Sequence, residues 1–237
     1  MIVTIFDYGA GNLHSLSKAL ALSGHRVRVE PDPEAALDTD VLVLPGVGAF
    51  ASAAERLATG RVAMRRAIDR GLPCLGICLG MQLLFDGSDE GPGAGLGVIP
   101  GRVTRLMAPC VPHIGWNTIE PDAFTSDRVL RSAPLEYAYY AHSFACRPVD
   151  PAVALAWSRH HGDRFPAVVR QGSAFGVQFH PEKSSRAGVN LLHAYLAAAC
   201  VSRDTGTPLG TCADIDSEGN SNFDDHRALG PGAMPCS

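Results

Sequence analysis
A chain of 237 residues that is 46% hydrophobic and 19% charged has the apolar surface for one sizeable core, which excludes disorder over its whole length. A formal net charge of -4 gives no electrostatic ground for a nucleic-acid partner or an anionic membrane surface. No run of about 18 apolar residues occurs, and the start, Met1-Ile2-Val3-Thr4, lacks the basic region and cleavage site of a signal peptide, so a soluble cytoplasmic protein is expected.

In chain order, residues 2–6 read as a short buried strand, followed by the Gly-rich turn Tyr8-Gly9-Ala10-Gly11-Asn12 and a helical face of Leu13, Leu16, Leu20 and Ala21. Residues 27–29 make a second strand and residues 40–44 a third, with a polar helix expected between them. The run Val41-Leu42-Val43-Leu44 has the continuous apolarity of a strand buried on both faces. Residues 51–70, rich in Ala, Arg and Leu, read as one helix, and residues 73–77 enter a further buried strand. Strands alternating with helices predict an α/β fold with an open, mainly parallel sheet of flavodoxin-like type, flanked by helices. Beyond residue 96 the apolar pieces shorten, and 97–103, 137–140, 167–170 and 174–179 read as additional antiparallel strands. A closing helix over 184–200 packs Val189, Leu192 and Leu196, so the packed domain is expected to span 1–200. Residues 201–237 hold six acidic and two basic residues among many Gly, Ser, Pro and Asn. They bury too little apolar surface to offset the entropy of ordering and are expected to form a disordered acidic tail.

The seven cysteines are an odd number without framework spacing, so disulfides are not expected and a reactive thiol is worth seeking. Cys78 is the candidate. It sits in Gly76-Ile77-Cys78-Leu79-Gly80, between a buried strand and a helix that includes Met81 and Gln82, a nucleophile elbow with cysteine in place of serine. Flanking glycines permit the tight turn that presents the side chain, while a helix N-terminus favours the thiolate and leaves N–H groups for an oxyanion. The plainer reading, a small buried residue, fits Cys74 inside the strand better. A thiol nucleophile needs a base, and the base needs an orienting group. His180 and Glu182, at a strand end, supply both, because a two-residue spacing points their side chains to one side of an extended segment. Other histidines, including His113, His142 and the His160-His161 pair, have no carboxylate so placed and read as structural or surface residues. Pro45-Gly46-Val47-Gly48, after the third strand, is either a plain strand-to-helix turn or a loop whose N–H groups complete an oxyanion hole beside the elbow. The turn at 9–11 is no dinucleotide fingerprint, since the third glycine and a following acidic partner are missing.

The elbow through Gln82, with Gly176-Val177-Gln178-Phe179-His180-Pro181-Glu182, resembles the class I (triad) glutamine amidotransferase family. Within it, the Asp7-to-Asn12 turn, Pro112-His113-Ile114-Gly115-Trp116-Asn117, Tyr139-Tyr140-Ala141-His142-Ser143-Phe144 and Lys183 resemble the glutaminase subunits of imidazole glycerol phosphate synthase, over residues 2–199. The resemblance implies that Cys78 attacks the amide of glutamine, His180 carries the proton to departing ammonia, Glu182 orients the imidazole, and water hydrolyses the glutamyl thioester. It implies a glutamine pocket and oxyanion site of Gly46, Val47, Gly48, Leu79, Gln82, His142, Ser143 and Phe144, with no cofactor or metal. It also implies a heterodimer with a (β/α)8-barrel cyclase subunit that receives the ammonia and is met by Asn12, Trp116, Tyr139 and Lys183. The glutaminase would be nearly silent until the cyclase and its ligand bind, with the loop 45–48 as the switch. Other readings stay open: the glutaminase of another synthase, a stand-alone cysteine hydrolase, for which Lys183 and Trp116 would have no partner to meet, or an inactive regulatory subunit, against which the complete triad speaks. A flavodoxin-like nucleotide binder would lack any phosphate loop. Cys212, His226 and Cys236 match no standard zinc spacing and are assigned to the tail.

Overall fold
The computed structural model describes residues 1–9, 13–123, 125–206 and 209. Four strands open the chain, β1 (Ile2–Phe6), β2 (Arg26–Glu30), β3 (Val41–Leu44) and β4 (Cys74–Ile77), interleaved with α1 (His14–Ala21), α2 (Phe50–Leu57) and α3 (Arg61–Asp69). The short α4 (Leu79–Leu83) follows β4 directly. Next come β5 (Gly87–Ser88), β6 (Gly101–Arg105), β7 (His113–Thr118), β8 (Glu120–Pro121), α5 (Arg128–Ser132), β9 (Tyr137–His142) and β10 (Phe144–Pro148). The chain closes through β11 (Ala154–His160), β12 (Asp163–Gln171), β13 (Ala174–Val177) and α6 (Ser185–Thr205).

The main sheet has the order β2-β1-β3-β4-β13-β12-β11-β8, parallel from β2 to β13 and antiparallel beyond. The parallel part has the flavodoxin-like order, in which ligands bind outside the carboxyl ends of the strands. Two smaller sheets, β10-β6-β5 and β7-β9, lie beside it. Period-two alternation lets all four apolar residues of β3 be buried. Val41 and Val43 enter the core that holds α1, α5 and α6, and Leu42 and Leu44 the core that holds α2 and α3.

Between β2 and β3 there is a 3-10 turn, Ala35–Leu37, in place of the expected helix. Pro31 and Pro33 remove two N–H donors, and the Asp32 carboxylate takes those of Glu34 and Ala35. The expected helix over 51–70 is two helices, separated at Gly60, where a Cβ would lie 2.4 Å from that of Pro33. At the other end α6 runs to Thr205, past residue 200, and Leu209 is buried against the same core as α6. The rest of the tail with Cys212, His226 and Cys236, and Asn12 in the first turn, lie outside the described residues. No described helix is long and apolar enough to cross a membrane.

Candidate active site
The loops that leave β3, β4 and β13, three adjacent strands, converge at their carboxyl ends. Cys78, immediately after β4, has φ 47° and ψ -103°, a left-handed conformation that a residue with a Cβ holds only under constraint. The constraint comes from close packing of α4 on the sheet. A Cβ on Gly76 would lie 2.6 Å from the Gly80 carbonyl oxygen, and one on Gly80 would lie 2.0 Å from that of Leu44. The Gly-x-Cys-x-Gly spelling is therefore what lets β4 turn into α4 against β3. The Cys78 N–H donates to the Val177 carbonyl at 2.7 Å, which ties the elbow to β13.

His180 is buried, with Nδ1 2.9 Å from Glu182 Oε1 and the ring hydrogen-bonded to the Cys78 side chain. Burial works against a charged imidazole, but the hydrogen bonds and charges of Cys78 and Glu182 outweigh it and hold His180 up to about 10. Gly46 backs the ring from the β3 side, where a Cβ would sit 2.9 Å from His180 Cε1. The backbone of His180 is clamped as well. Its N–H donates to the Tyr139 carbonyl at 2.9 Å, and its carbonyl accepts from Ser184 Oγ at 2.7 Å. Ser184 Oγ also accepts the Tyr139 N–H at 2.9 Å, so one residue of β9 and one buried hydroxyl fix the histidine between them.

A cavity of about 400 Å³ opens over this group. It is lined by Gly46, Val47, Gly48, Leu79, Gln82, His142, Ser143 and Phe144, with Cys78, His180 and Lys183. Glu90, Pro112, Ile114 and Ala141 line it too and were not foreseen. Four other cavities are larger, but none is lined by a cysteine, and the one histidine among their linings, His193, has no thiol beside it. Cys74 is fully buried, its thiol pushed well up by burial, as a packing residue should be. Two more residues escaped sequence reasoning. Gln178 Nε2 lies 3.5 Å from Cys78 Sγ, and the buried Tyr8 hydroxyl donates to the Pro45 carbonyl at the base of the loop 45–48. Trp116 is 56% exposed and meets Tyr139 edge to face, with ring centroids 6.3 Å apart.

A family model, glutamine amidotransferase class-I, matches residues 4–196. The chain belongs to the class-I glutamine amidotransferase family. Relatives in that family include the imidazole glycerol phosphate synthase subunit HisH of Symbiobacterium thermophilum, 45% identical and covering 80% of this chain and 91% of that protein. HisH of Halobacterium salinarum is 42% identical and covers 82% of this chain and 92% of its own length. The fold is shared with PurLQS from Thermotoga maritima, at a TM-score of 0.62 and 19% identity over 83% of this chain and 97% of that one. It is shared equally with the glutaminase domain of Trypanosoma brucei CTPS, at 0.61 and 17% over 84% and 93%. Like the amidotransferases of its family, the chain is an enzyme.

Proposed function
We propose that this chain is the glutaminase subunit of imidazole glycerol phosphate synthase, which hydrolyses glutamine and hands the ammonia to a cyclase subunit in histidine biosynthesis. The observation that carries the chemistry is the strained Cys78 facing an imidazole that Glu182 holds from the other side. The choice of subunit rests on 45% identity over most of the HisH chain from Symbiobacterium thermophilum.

In this reading the Cys78 sulfur attacks the δ-carbon of glutamine, and the carbonyl electron pair moves to oxygen, where N–H groups of the loop 45–48 and of Leu79 stabilise it. His180 gives its Nε2 proton to the departing nitrogen, the C–N bond breaks, and ammonia leaves a glutamyl thioester behind. The imidazole, now neutral, takes a proton from water as the oxygen attacks the thioester, and glutamate departs with the thiolate restored. Glu182 keeps the Nδ1 proton in place and leaves Nε2 facing the sulfur. An imidazole held up to about 10 begins this cycle charged, as its first proton donation requires. Trp116, Tyr139 and the exposed Lys183, which lines the cavity, are assigned to the face that meets the barrel-shaped cyclase in a heterodimer; Asn12, assigned to that face by resemblance, lies outside the described residues. A biosynthetic pair of this kind works in the cytoplasm.

A chloroketone analogue of glutamine tests the nucleophile. Incubated with the complex of this chain and its cyclase, it should alkylate Cys78, with fragment-ion masses placing the adduct there and not on Cys74. Labelling at Cys74, or undiminished labelling of Cys78→Ser, would overturn the assignment.

A further inference from the structure
Behind the wall that β9 and β10 give the cavity runs a line of hydrogen bonds whose direction is settled from both ends. On β7, Asn117 Oδ1 accepts the Thr118 N–H at 2.8 Å and Asn117 Nδ2 donates to the Arg159 carbonyl at 2.9 Å, so the amide has one orientation. The same Nδ2 lies 3.2 Å from His113 Nε2, which must therefore accept. The His113 proton is then on Nδ1, facing His142 Nε2 at 3.0 Å. From the other end, His142 Nδ1 lies 2.8 Å from the Phe144 carbonyl, which can only accept, so His142 donates from Nδ1 and must accept at Nε2. Both ends force the same pair of neutral tautomers. The Phe144 carbonyl also takes Gln82 Nε2 at 3.0 Å, which leaves Gln82 Oε1 as the amide atom available to a substrate in the cavity.

A second proton on either ring would set one N–H against another. Both rings are buried, and the titratable groups that face them are further imidazoles and the Tyr140 phenol, whose ring stacks on His113 at 4.8 Å and whose hydroxyl is hydrogen-bonded to Ser158. His160 stacks on His113 with centroids 4.2 Å apart, His161 lies beyond it, and His180 acts on His142. Glu90, Lys183 and the charged His180 line the cavity itself. Burial, and after it the neighbouring imidazoles, holds His113 down to about 4 and His142 down to about 3.

We propose that His113, which lines no part of the cavity, is a positioning residue for glutamine: by donating from Nδ1 to His142 Nε2 it keeps the His142 ring aimed at the Phe144 carbonyl. The wall then offers fixed, neutral groups to a substrate that brings its own α-ammonium. This rests on the glutaminase reading and adds to it the residue that orients the binding wall.

The test is calorimetric binding of L-glutamine to the cyclase complex in a Cys78→Ser background, where no turnover follows. Each His113 variant is compared with that parent at the same pH, because His180 owes its raised position partly to the Cys78 thiol that this background lacks. His113→Leu should weaken binding by about tenfold near pH 6 and near pH 8 alike, since His142 loses the donor that fixes its ring while burial still keeps it neutral. His113→Asn, whose amide N–H can replace the Nδ1 donor, should restore parental affinity. Parental binding by the Leu variant, or equal losses in both variants, would overturn the proposal. Imidazole ¹⁵N spectra give a readout independent of glutamine: neutral Nδ1–H forms of His113 and His142 are expected, and an Nε2–H form or an imidazolium near pH 6 would contradict it. A parent that binds no glutamine would instead sink the glutaminase reading and the proposal with it.

Discussion

Gly46 has no room for a side chain, because a Cβ there would lie 2.9 Å from His180 Cε1 and 3.1 Å from Ile77 Cγ2. Gly46→Ala should therefore push the imidazole off the thiol and lower glutamate release by at least about a hundredfold, since misplacement near 1 Å costs that much, while a thermal melt moves little. Ser184 acts on the backbone of the same histidine. Ser184→Ala leaves the His180 carbonyl and the Tyr139 N–H without their shared partner, and we expect about tenfold lower kcat with KM unchanged in steady-state assays. Cys78, His180 and Glu182 were legible in the sequence because their geometry is local: glycines two residues either side of a thiol, and a His-x-Glu pair shortly after a strand, although Pro181–Lys183 form a 3-10 turn in place of the extended segment expected there. Gln178, Ser184, Tyr8 and His113 were not, because what they touch is remote. Gln178 and Cys78 are 100 residues apart in the chain, and only the pairing of β4 with β13 brings them together.

Among the elements, the loop 45–48 carries the sharpest expectation. Gly46 and Gly48 flank Val47, Gly48 has φ 128°, and the Tyr8 hydroxyl holds the Pro45 carbonyl, so any peptide rotation is confined to the residues that follow. Val47→Pro removes the N–H there and should abolish glutaminase activity while the chain still assembles with its cyclase; normal turnover would contradict a switch at this loop. The strands β1, β3 and β4 were readable as continuous apolar runs, because a strand buried on both faces leaves that trace. The break between α2 and α3 was not, since its cause is the contact of Gly60 with Pro33. β7 was not read as a strand either. Its sequence, His113-Ile114-Gly115-Trp116-Asn117-Thr118, has a polar buried residue and an exposed Ile and Trp, the reverse of an ordinary amphipathic strand, because its outer face borders the cavity and its inner histidine belongs to a polar chain.

For the whole molecule, the buried histidines should limit stability on both sides of neutrality. His180 rises from 6.5 to about 10 on folding, so its contribution is complete below about pH 6.5 and is lost as the pH climbs towards 10. His113 and His142 fall from 6.5 to about 4 and about 3, so theirs is complete above about pH 6.5 and is lost as the pH drops through that range. Melting temperatures should peak between these limits, with His180→Asn flattening the alkaline limb and His113→Asn the acid one; a midpoint that rose steadily across the range would contradict this. The central claim is a glutaminase whose triad serves a partner. It is tested most directly by glutamate release from glutamine, first by the purified chain and then with the cyclase and its nucleotide ligand, with Cys78→Ser as control. Strong stimulation by partner and ligand, absent in the control, is the predicted result. Equal turnover without the partner, or turnover that survives Cys78→Ser, would contradict the account.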